Sequence, residues 1–230
     1  MSSPTRSSRP TSMPRRYATT TVTVRFQHMS TPSVYRLHIF TGPGSGANAT
    51  LMLGVLNSMV QAFEAGPNAT YTNSAGQPFT PGPLLAMFTN DGQLSQLVSE
   101  LGVFDDVAPL PSMSMPLFQK YVSSNFITMR GTTTLERLTC SASNATTHTN
   151  STTSYVRVLL NDAVYPVVGC ASGPGYSCPL SQYGGIVAGK MATAGSLRSR
   201  CNITNATLPV LETATFLRDN ALPFQINVKP

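Results

Sequence analysis

Apolar positions recur at helical spacing in the first well-patterned stretch of the chain, between Asn48 and Ala65. This spacing predicts an α-helix with Asn48 as its N-cap and Gly66-Pro67 as its end. The positions that carry the prediction are Leu51, Val55, Val60 and Phe63. The glycine-rich turn before the helix lacks the Gly-Lys-Ser/Thr ending of a phosphate-binding P-loop, so it is a weak phosphate signal.

A short apolar run, Leu84–Thr89, lies between turn residues and predicts a buried strand. Directly after it, the residues from Gln93 to Leu101 place four apolar side chains on one face, which predicts a short helix. The polar turn between them is Asn90-Asp91-Gly92. This order of elements matters because ligands bind at the ends of strands in α/β sheets.

Two longer stretches, Phe126–Leu138 and Tyr155–Val168, have the β-branched and aromatic content of strands. Inside the second stretch, Asn161-Asp162 predicts a tight hairpin turn. The Ser/Thr/Asn-rich residues 140–154 between the stretches predict a solvated, mobile loop. Further on, residues 180–195 predict a weak helix, and residues 218–230 predict an irregular tail.

Charged residues make up only 10% of the chain, and its net charge of +6 lies at one end. Six arginines and no acidic residue precede Glu64, whereas basic and acidic residues balance from residue 37 onward. A basic face on a nucleic-acid-binding domain is therefore not expected. Residues 1–36 are interpreted as a disordered tail or as wrongly translated sequence ahead of the domain, although an Arg- and Ser-rich start also resembles a transit peptide.

Asn-x-Ser/Thr sequons exceed the number that composition alone predicts, which is typical of a secreted glycoprotein. They begin at Asn48, Asn68, Asn144, Asn150, Asn202 and Asn205. The four cysteines have no CxxC spacing, so a zinc site is not expected. Cys170 and Cys178 bracket a turn-rich segment that a disulfide can close, which favours an oxidising compartment; free buried thiols are the alternative.

The sequence contains neither a membrane-spanning run nor a secretory signal. No stretch approaches the roughly 18 apolar residues of a transmembrane helix, so no membrane partner is expected. The absence of an apolar signal-peptide core conflicts with the secreted interpretation. No metal or organic cofactor is indicated, and the oligomeric state stays open.

Several stretches resemble, in order and spacing, the C-terminal half of the fungal histidine acid phosphatases, the family that includes the phytases. The matching stretches are Met87–Gln93, Met129–Thr132, Glu136–Cys140 and Tyr155–Cys170. The resemblance covers roughly residues 38–215 and implies a domain at residues 37–217. It also implies an α/β fold, with a mixed sheet flanked by helices and the N-terminal half of the family fold missing.

The resemblance further implies hydrolysis of phosphate monoesters, of acid phosphatase or 3-phytase type, through a phosphohistidine intermediate. In the family a His-Asp pair follows the strand, and its aspartate protonates the leaving alcohol. By this match Asp91 is the proton donor, and Asn90 stands at the histidine position as an uncharged, substrate-binding donor. On the residues alone, Asn90-Asp91-Gly92 is also an ordinary turn and helix-cap sequence.

The chain departs from the family because Arg-His-Gly-x-Arg-x-Pro, which carries the nucleophile, does not occur in it. The three histidines are His28, His38 and His148, and none is followed by Gly-x-Arg. Three interpretations therefore stay open: a phosphatase, an inactive truncated remnant, and a secreted non-enzymatic glycoprotein. A sheet without its first strands would also expose an unprotected edge.

The cysteines carry one more implication of the resemblance. In the family the pair that matches Cys170 and Cys178 is bonded locally. The positions that match Cys140 and Cys201 pair with cysteines of the missing half, so these two are not expected to bond to each other.

Overall fold

The computed structural model describes residues 37–111, 119–144, 149–210 and 213–220. The predicted tail at residues 1–36 lies outside these ranges, as does the irregular tail predicted at residues 218–230 from residue 221 onward. The described residues combine helices with antiparallel sheet. The predicted α/β fold, with a sheet flanked by helices, is therefore confirmed. The resemblance implies a mixed sheet, whereas every pair among the described strands is antiparallel.

Helices, strands and short 3₁₀ turns alternate along the described part of the chain. The helices are α1 (Leu53–Ala65), α2 (Asp91–Glu100), α3 (Leu180–Ala194) and α4 (Leu197–Arg200), and residues 37–40 form a helical turn. The strands are β1 (Tyr71–Thr72), β2 (Pro78–Phe79), β3 (Thr133–Asn144), β4 (Thr149–Leu160), β5 (Ala163–Val164) and β6 (Cys178–Pro179). The 3₁₀ turns are Gly46–Met52, Ser123–Asn125, Pro174–Tyr176 and Thr215–Arg218.

Helix α1 forms where the apolar pattern predicts it, but it begins later. The chain enters α1 through the first 3₁₀ turn, so Asn48 lies inside that turn and does not cap the helix, which corrects the predicted start. Leu53, Leu56 and Val60 are buried at the i, i+3, i+7 spacing of one helix face. Gly66 ends the helix as predicted, with a φ of +88° that glycine adopts without strain.

Helices α2 and α3 also form where the pattern predicts them. Leu97 and Val98 of α2 are buried, as are Tyr183 and Val187 of α3. Helix α3 packs against α1 at Gly184. A Cβ at this position would lie 2.5 Å from Oε1 of Glu64 and 3.7 Å from a methyl carbon of Val60. The helices therefore contribute one apolar face each to a shared core.

The main sheet is built on the long hairpin of β3 and β4. These strands pair antiparallel along their whole length, with Thr133 opposite Leu160. Strands β5 and β6 both pair with β4 on its other side. The turn between β4 and β5 is formed by Asn161 and Asp162, both at positive φ, as predicted.

Two predicted boundaries in this region are wrong. The strand predicted from Phe126 begins only at Thr133, because the Phe126 ring turns into the core, 5.2 Å from the ring of Phe104. At Gly131 a Cβ would lie 2.6 Å from the Phe126 carbonyl oxygen, so the chain must turn there before the strand can start. The loop predicted at residues 140–154 is instead a continuation of β3 and β4, since threonine favours strands, with residues 145–148 outside the described ranges.

The buried strand predicted at Leu84–Thr89 is also wrong. No strand forms there, and Leu84 is 83% and Phe88 97% exposed to solvent. An apolar run is buried only when a neighbouring element covers it, and no described element lies over these side chains.

Candidate active site

Asn90 and Asp91 lie together at the start of α2. Asn90 has extended backbone dihedrals and caps the helix: its Oδ1 accepts a hydrogen bond from the backbone N–H of Gln93 at 2.9 Å. The bond satisfies one of the N–H groups that a helix leaves unpaired at its start. Thr89 is joined to the same glutamine by a side-chain hydrogen bond, which ties the incoming chain to the first turn.

The cap bond fixes the orientation of the Asn90 amide. Because Oδ1 is the acceptor, the two N–H groups of Nδ2 remain as donors, and they make no hydrogen bond within the described residues. The side chain is exposed, so an oxygen of a ligand can reach Nδ2. This donor carries no charge, unlike the imidazolium that the family resemblance places at this position.

Asp91 is the first residue of α2 and is exposed. Its Oδ1 accepts a hydrogen bond from the backbone N–H of Gly92 at 2.8 Å. The other carboxyl oxygen has no partner among the described residues. An exposed carboxyl group with one free oxygen can reach the leaving oxygen of a bound ester and exchange protons with water.

A buried set of hydroxyl groups holds α2 against two other segments. Thr41 Oγ1 lies 3.0 Å from Ser95 Oγ, which lies 2.6 Å from the hydroxyl oxygen of Tyr121. One turn further along α2, Ser99 donates to the Ser95 carbonyl oxygen at 2.8 Å. Burial raises the pKa of Tyr121, so its hydroxyl group stays protonated. The apolar pattern does not single out these residues; the signal is a pair of serines four residues apart on the buried face of a helix.

His38 is buried beside the same hydroxyl groups. It is only 2% exposed, and its ring meets that of Tyr121 edge-on with 5.6 Å between centroids. A Cβ at Gly44 would lie 2.6 Å from the ring, and Nδ1 has no hydrogen-bond partner among the described residues. Burial lowers the pKa of His38, which favours the neutral form. Such an enclosed imidazole is suited to packing and not to attack on a bound phosphate; His28 and His148 lie outside the described residues.

A concave region lies at the other end of α2, about 14 Å from Asp91 at a rise of 1.5 Å per residue. It has a volume of about 650 Å³, and its lining includes Glu100, Asp105, Lys190 and Arg200. Lys190 Nζ lies 2.7 Å from a carboxylate oxygen of Asp105 and 3.5 Å from one of Glu100. Burial raises the pKa of Glu100, against the opposing effect of Lys190. The cleft is thus separate from the candidate active site, and its lysine and carboxylates pair with one another.

The cysteines fall into one bonded pair and two free thiols. Cys170 and Cys178 form a disulfide with a sulfur–sulfur distance of 2.02 Å, which joins the start of β6 to the chain after β5. Cys140 and Cys201 are free, and Cys201 is exposed.

The described sequon asparagines all lie at the surface. Asn68, Asn202 and Asn205 are exposed, which leaves room for a glycan on each. The side chains of the other three predicted sites, Asn48, Asn144 and Asn150, are not among those described.

Comparison with known sequences decides the family. The sequence profile of the histidine phosphatase superfamily (branch 2) matches residues 16–161, well over half of the chain. The chain belongs to this superfamily. The matched range includes α1, the Asn90-Asp91 pair and the β3–β4 hairpin, and it begins inside the segment predicted as a tail.

Curated relatives of this superfamily member carry phosphatase names. It is 37% identical over 101 residues to acid phosphatase PHO1 of Komagataella pastoris, and the aligned region makes up 44% of this chain and 20% of that protein. It is 27% identical over 168 residues to phytase PHO112 of Candida albicans, and the aligned region makes up 72% of this chain and 31% of that protein. The resemblance to histidine acid phosphatases is therefore confirmed, while the chain spans less than a third of the length of these relatives.

A solved structure supports the fold of this superfamily member. The phytase from D. castellii matches it with a TM-score of 0.55 at 22% identity, over 78% of this chain and 33% of that one. Within the described ranges, no helix is long and apolar enough to cross a membrane. The same ranges contain no group of three or more His, Cys, Asp or Glu side chains placed to hold a metal ion.

Proposed function

We propose that this protein hydrolyses phosphate monoesters, with Asp91 as the proton donor and Asn90 as a hydrogen-bond donor to the phosphoryl group. The observation that carries the proposal is the exposed Asn-Asp pair at the N-terminus of α2, inside the range that matches the superfamily. Relatives named acid phosphatase and phytase support the same reaction class.

The chemistry follows from the poor leaving group of a phosphate monoester. Proton transfer from Asp91 to the ester oxygen, as the P–O bond breaks, lets that oxygen leave as a neutral alcohol. The Nδ2 donor of Asn90, oriented by its cap bond, stabilises charge on a phosphoryl oxygen.

At the level of the family the phosphoryl group passes to a histidine, and water then cleaves the phosphohistidine. The Arg-His-Gly-x-Arg-x-Pro motif, which carries this histidine in the family, does not occur in these 230 residues. The proposal therefore requires another nucleophile to accept the phosphoryl group.

A non-catalytic role, as an inactive remnant or a secreted glycoprotein, is the second candidate. Two observations favour it: the nucleophile motif does not occur in the sequence, and His38, the histidine within the described ranges, is buried. The exposed sequon asparagines fit either candidate.

Two phosphate monoesters with different leaving groups separate the candidates. An alkyl ester such as glycerol 2-phosphate needs protonation of its leaving oxygen, whereas p-nitrophenyl phosphate releases a stable phenolate. With the full chain we expect Asp91→Asn to lower kcat/KM on the alkyl ester by about 10²–10⁴-fold, and on p-nitrophenyl phosphate by much less. Asp162→Asn, at an exposed hairpin aspartate, is the matched control and should leave both rates unchanged.

Two other outcomes of this assay would contradict the proposal. An equal loss on both esters would contradict the role of Asp91 as proton donor. If the wild-type chain turned over neither ester, the non-catalytic candidate would stand in place of the enzyme.

The substrate range and location belong to the same proposal. We propose simple phosphate monoesters as substrates and phytate as a further one, and the ratio of their kcat/KM values measures this preference. The disulfide and the exposed sequons support an extracellular location. No cofactor and no nucleic-acid or membrane partner is part of the proposal. A mass shift on enzymatic deglycosylation of the protein from its native host would support secretion, and its absence would contradict it.

A further inference from the structure

The peptide bond between Asp91 and Gly92 is the one Asp-Gly bond in the sequence. No asparagine precedes a glycine, and the other four aspartates precede Asp106, Val107, Ala163 and Asn220. A side chain on the following residue shields the main-chain nitrogen that can attack an aspartyl carboxyl carbon, whereas glycine leaves that nitrogen open. Asp91 is therefore the aspartate at which the following residue hinders such an attack least.

The structure places the two reacting groups of this dipeptide beside each other. Gly92 is the second residue of α2, so its N–H has no acceptor within the helix. It donates instead to Oδ1 of Asp91 at 2.8 Å. The carboxyl carbon is bonded to that oxygen, and the Asp91 side chain is exposed, so water reaches the same point. The attacking nitrogen, the carboxyl carbon and solvent thus meet at the surface.

We propose that Asp91 is a site of spontaneous isomerisation to isoaspartate. The Gly92 nitrogen attacks Cγ of Asp91, and the N–H proton and the carboxyl hydroxyl group leave as water, which closes a succinimide ring. Water then adds to one of the two ring carbonyl carbons, and the C–N bond at that carbon breaks. Addition at Cγ restores aspartate, whereas addition at the main-chain carbonyl carbon leaves the chain running through Cβ and Cγ. The sum is a rearrangement without change of mass, and it needs no reactant besides water.

The cap of α2 controls how often this reaction starts. Ring closure requires rotation about the Asp91 backbone, since the five-membered ring does not fit the ψ of a helical residue. The cap bond from the Gln93 N–H to Asn90 Oδ1, at 2.9 Å, holds the first turn and opposes that rotation. Helix ends nevertheless open at a low free-energy cost. Isomerisation therefore proceeds from the opened first turn and does not need the globally unfolded chain.

Isomerisation changes the start of α2 at two points. It inserts a methylene group into the main chain between Asn90 and Gly92, so the cap bond to Gln93 loses its geometry. It also leaves the free carboxyl group directly on Cα, on a side chain shorter by that methylene. The loss of a proton donor at this position rests on the proposed function, whereas the chemistry of the Asp-Gly bond does not.

Ageing of the full chain at neutral pH and physiological temperature tests the site. Peptide mapping by liquid chromatography and mass spectrometry separates isoaspartyl from aspartyl peptides of equal mass, and an isoaspartyl methyltransferase labels isoaspartate independently. We expect isoaspartate to accumulate at residue 91 and not at Asp162, an exposed aspartate that precedes Ala163. Asp162 is therefore the internal control in every digest.

Variants show which features of the dipeptide set the rate. A Cβ at Gly92 would lie 3.5 Å from Asn90 Oδ1 and 3.9 Å from a methyl carbon of Thr41, so the fold accommodates Gly92→Ala. This variant should isomerise at least about tenfold more slowly, because the methyl group hinders the nitrogen. Asn90→Ala should isomerise about fivefold faster, the factor that corresponds to a cap of about 1 kcal/mol. The distant double variant Cys170→Ala and Cys178→Ala lowers global stability and should leave the rate unchanged.

Several results would overturn the proposal. A chain that forms no isoaspartate at residue 91, or forms it as fast at Asp162, contradicts the site, and so does Gly92→Ala ageing at the wild-type rate. Equal acceleration in Asn90→Ala and in the disulfide variant would mean that the reaction needs global unfolding. If isoaspartate accumulates while turnover of glycerol 2-phosphate persists unchanged, the site stands and the role of Asp91 as proton donor fails. The two proposals can therefore fail separately.

Discussion

Removal of the disulfide between Cys170 and Cys178 gives a direct measure of how this domain is held together. The bond closes a loop with a sequence separation of eight residues, and both cysteines are buried. The loop-entropy relation gives a stabilisation of about 2.5 kcal/mol for a loop of this length. The matched perturbation is the double variant Cys170→Ala and Cys178→Ala, because alanine leaves no unpaired polar atom in the core.

The position of the disulfide in the fold means that its removal affects only the neighbouring segments directly. Cys178 in β6 pairs with Val156 in β4, so the disulfide ties β6 and the start of α3 to the segment that follows β5. We therefore expect the fold to survive with a lower free energy of unfolding.

Urea unfolding measures the change, with the midpoint shifting and the slope m staying nearly constant. The corresponding fall in Tm is about 5–10 °C for a domain of this size. Cys201→Ala removes a free, exposed cysteine and should change the free energy of unfolding by less than about 0.5 kcal/mol. A reducing agent should destabilise the wild type and leave the double variant unchanged.

A wild type that is insensitive to reduction, or a double variant as stable as Cys201→Ala, would refute this reasoning. Either result would mean that a disulfide between Cys170 and Cys178 does not constrain the unfolded chain.

Two further predictions concern the surroundings of the candidate active site. Asn90→Ala removes the cap of α2 and should lower the free energy of unfolding by about 1 kcal/mol, whereas Asn90→Asp keeps an acceptor oxygen and should lose much less; an equal loss would contradict the cap role. Because burial lowers the pKa of His38 below its ordinary value of 6.5, the unfolded chain binds a proton more readily, so stability is full above that pH and falls as the pH drops below it. Urea unfolding between pH 7 and pH 5 should therefore show a shallower decline for His38→Gln than for the wild type, and equal declines would exclude His38 as the cause.

Local signals predict those elements whose ends depend on a few neighbouring residues. Gly66 ends α1 and Asn161-Asp162 turns the chain between β4 and β5, because a positive φ is accessible to these residue types. The N-cap role of Asn90 belongs to the same class, since the cap bond spans only three residues. Such features are readable from sequence because their energies come from contacts within one turn.

Features that need a distant partner are not readable in this way. The β-branched and aromatic content of the stretch that begins at Phe126 predicts a strand. The Phe126 ring instead packs in a cluster with Phe104 and Tyr121, and the chain turns before β3. The Ser/Thr-rich residues after Cys140 look like a loop until their pairing with β4 is known. The hydroxyl contact between Ser95 and Thr41 likewise joins residues 54 positions apart in the chain, which no local pattern encodes.

The sequence by itself determined the family, the three longer helices and the position of the Asn90-Asp91 pair before a helix, because these depend on residue identity and short-range spacing. Only the tertiary structure decided that Asn90 and Asp91 are exposed, that His38 is buried, and that the apolar side chains of Leu84 and Phe88 are exposed. Burial is a property of what packs against a residue and not of the residue itself. Beside a partner the apolar run Leu84–Phe88 would form a buried strand, whereas Leu84 and Phe88 stay exposed because no described element covers them.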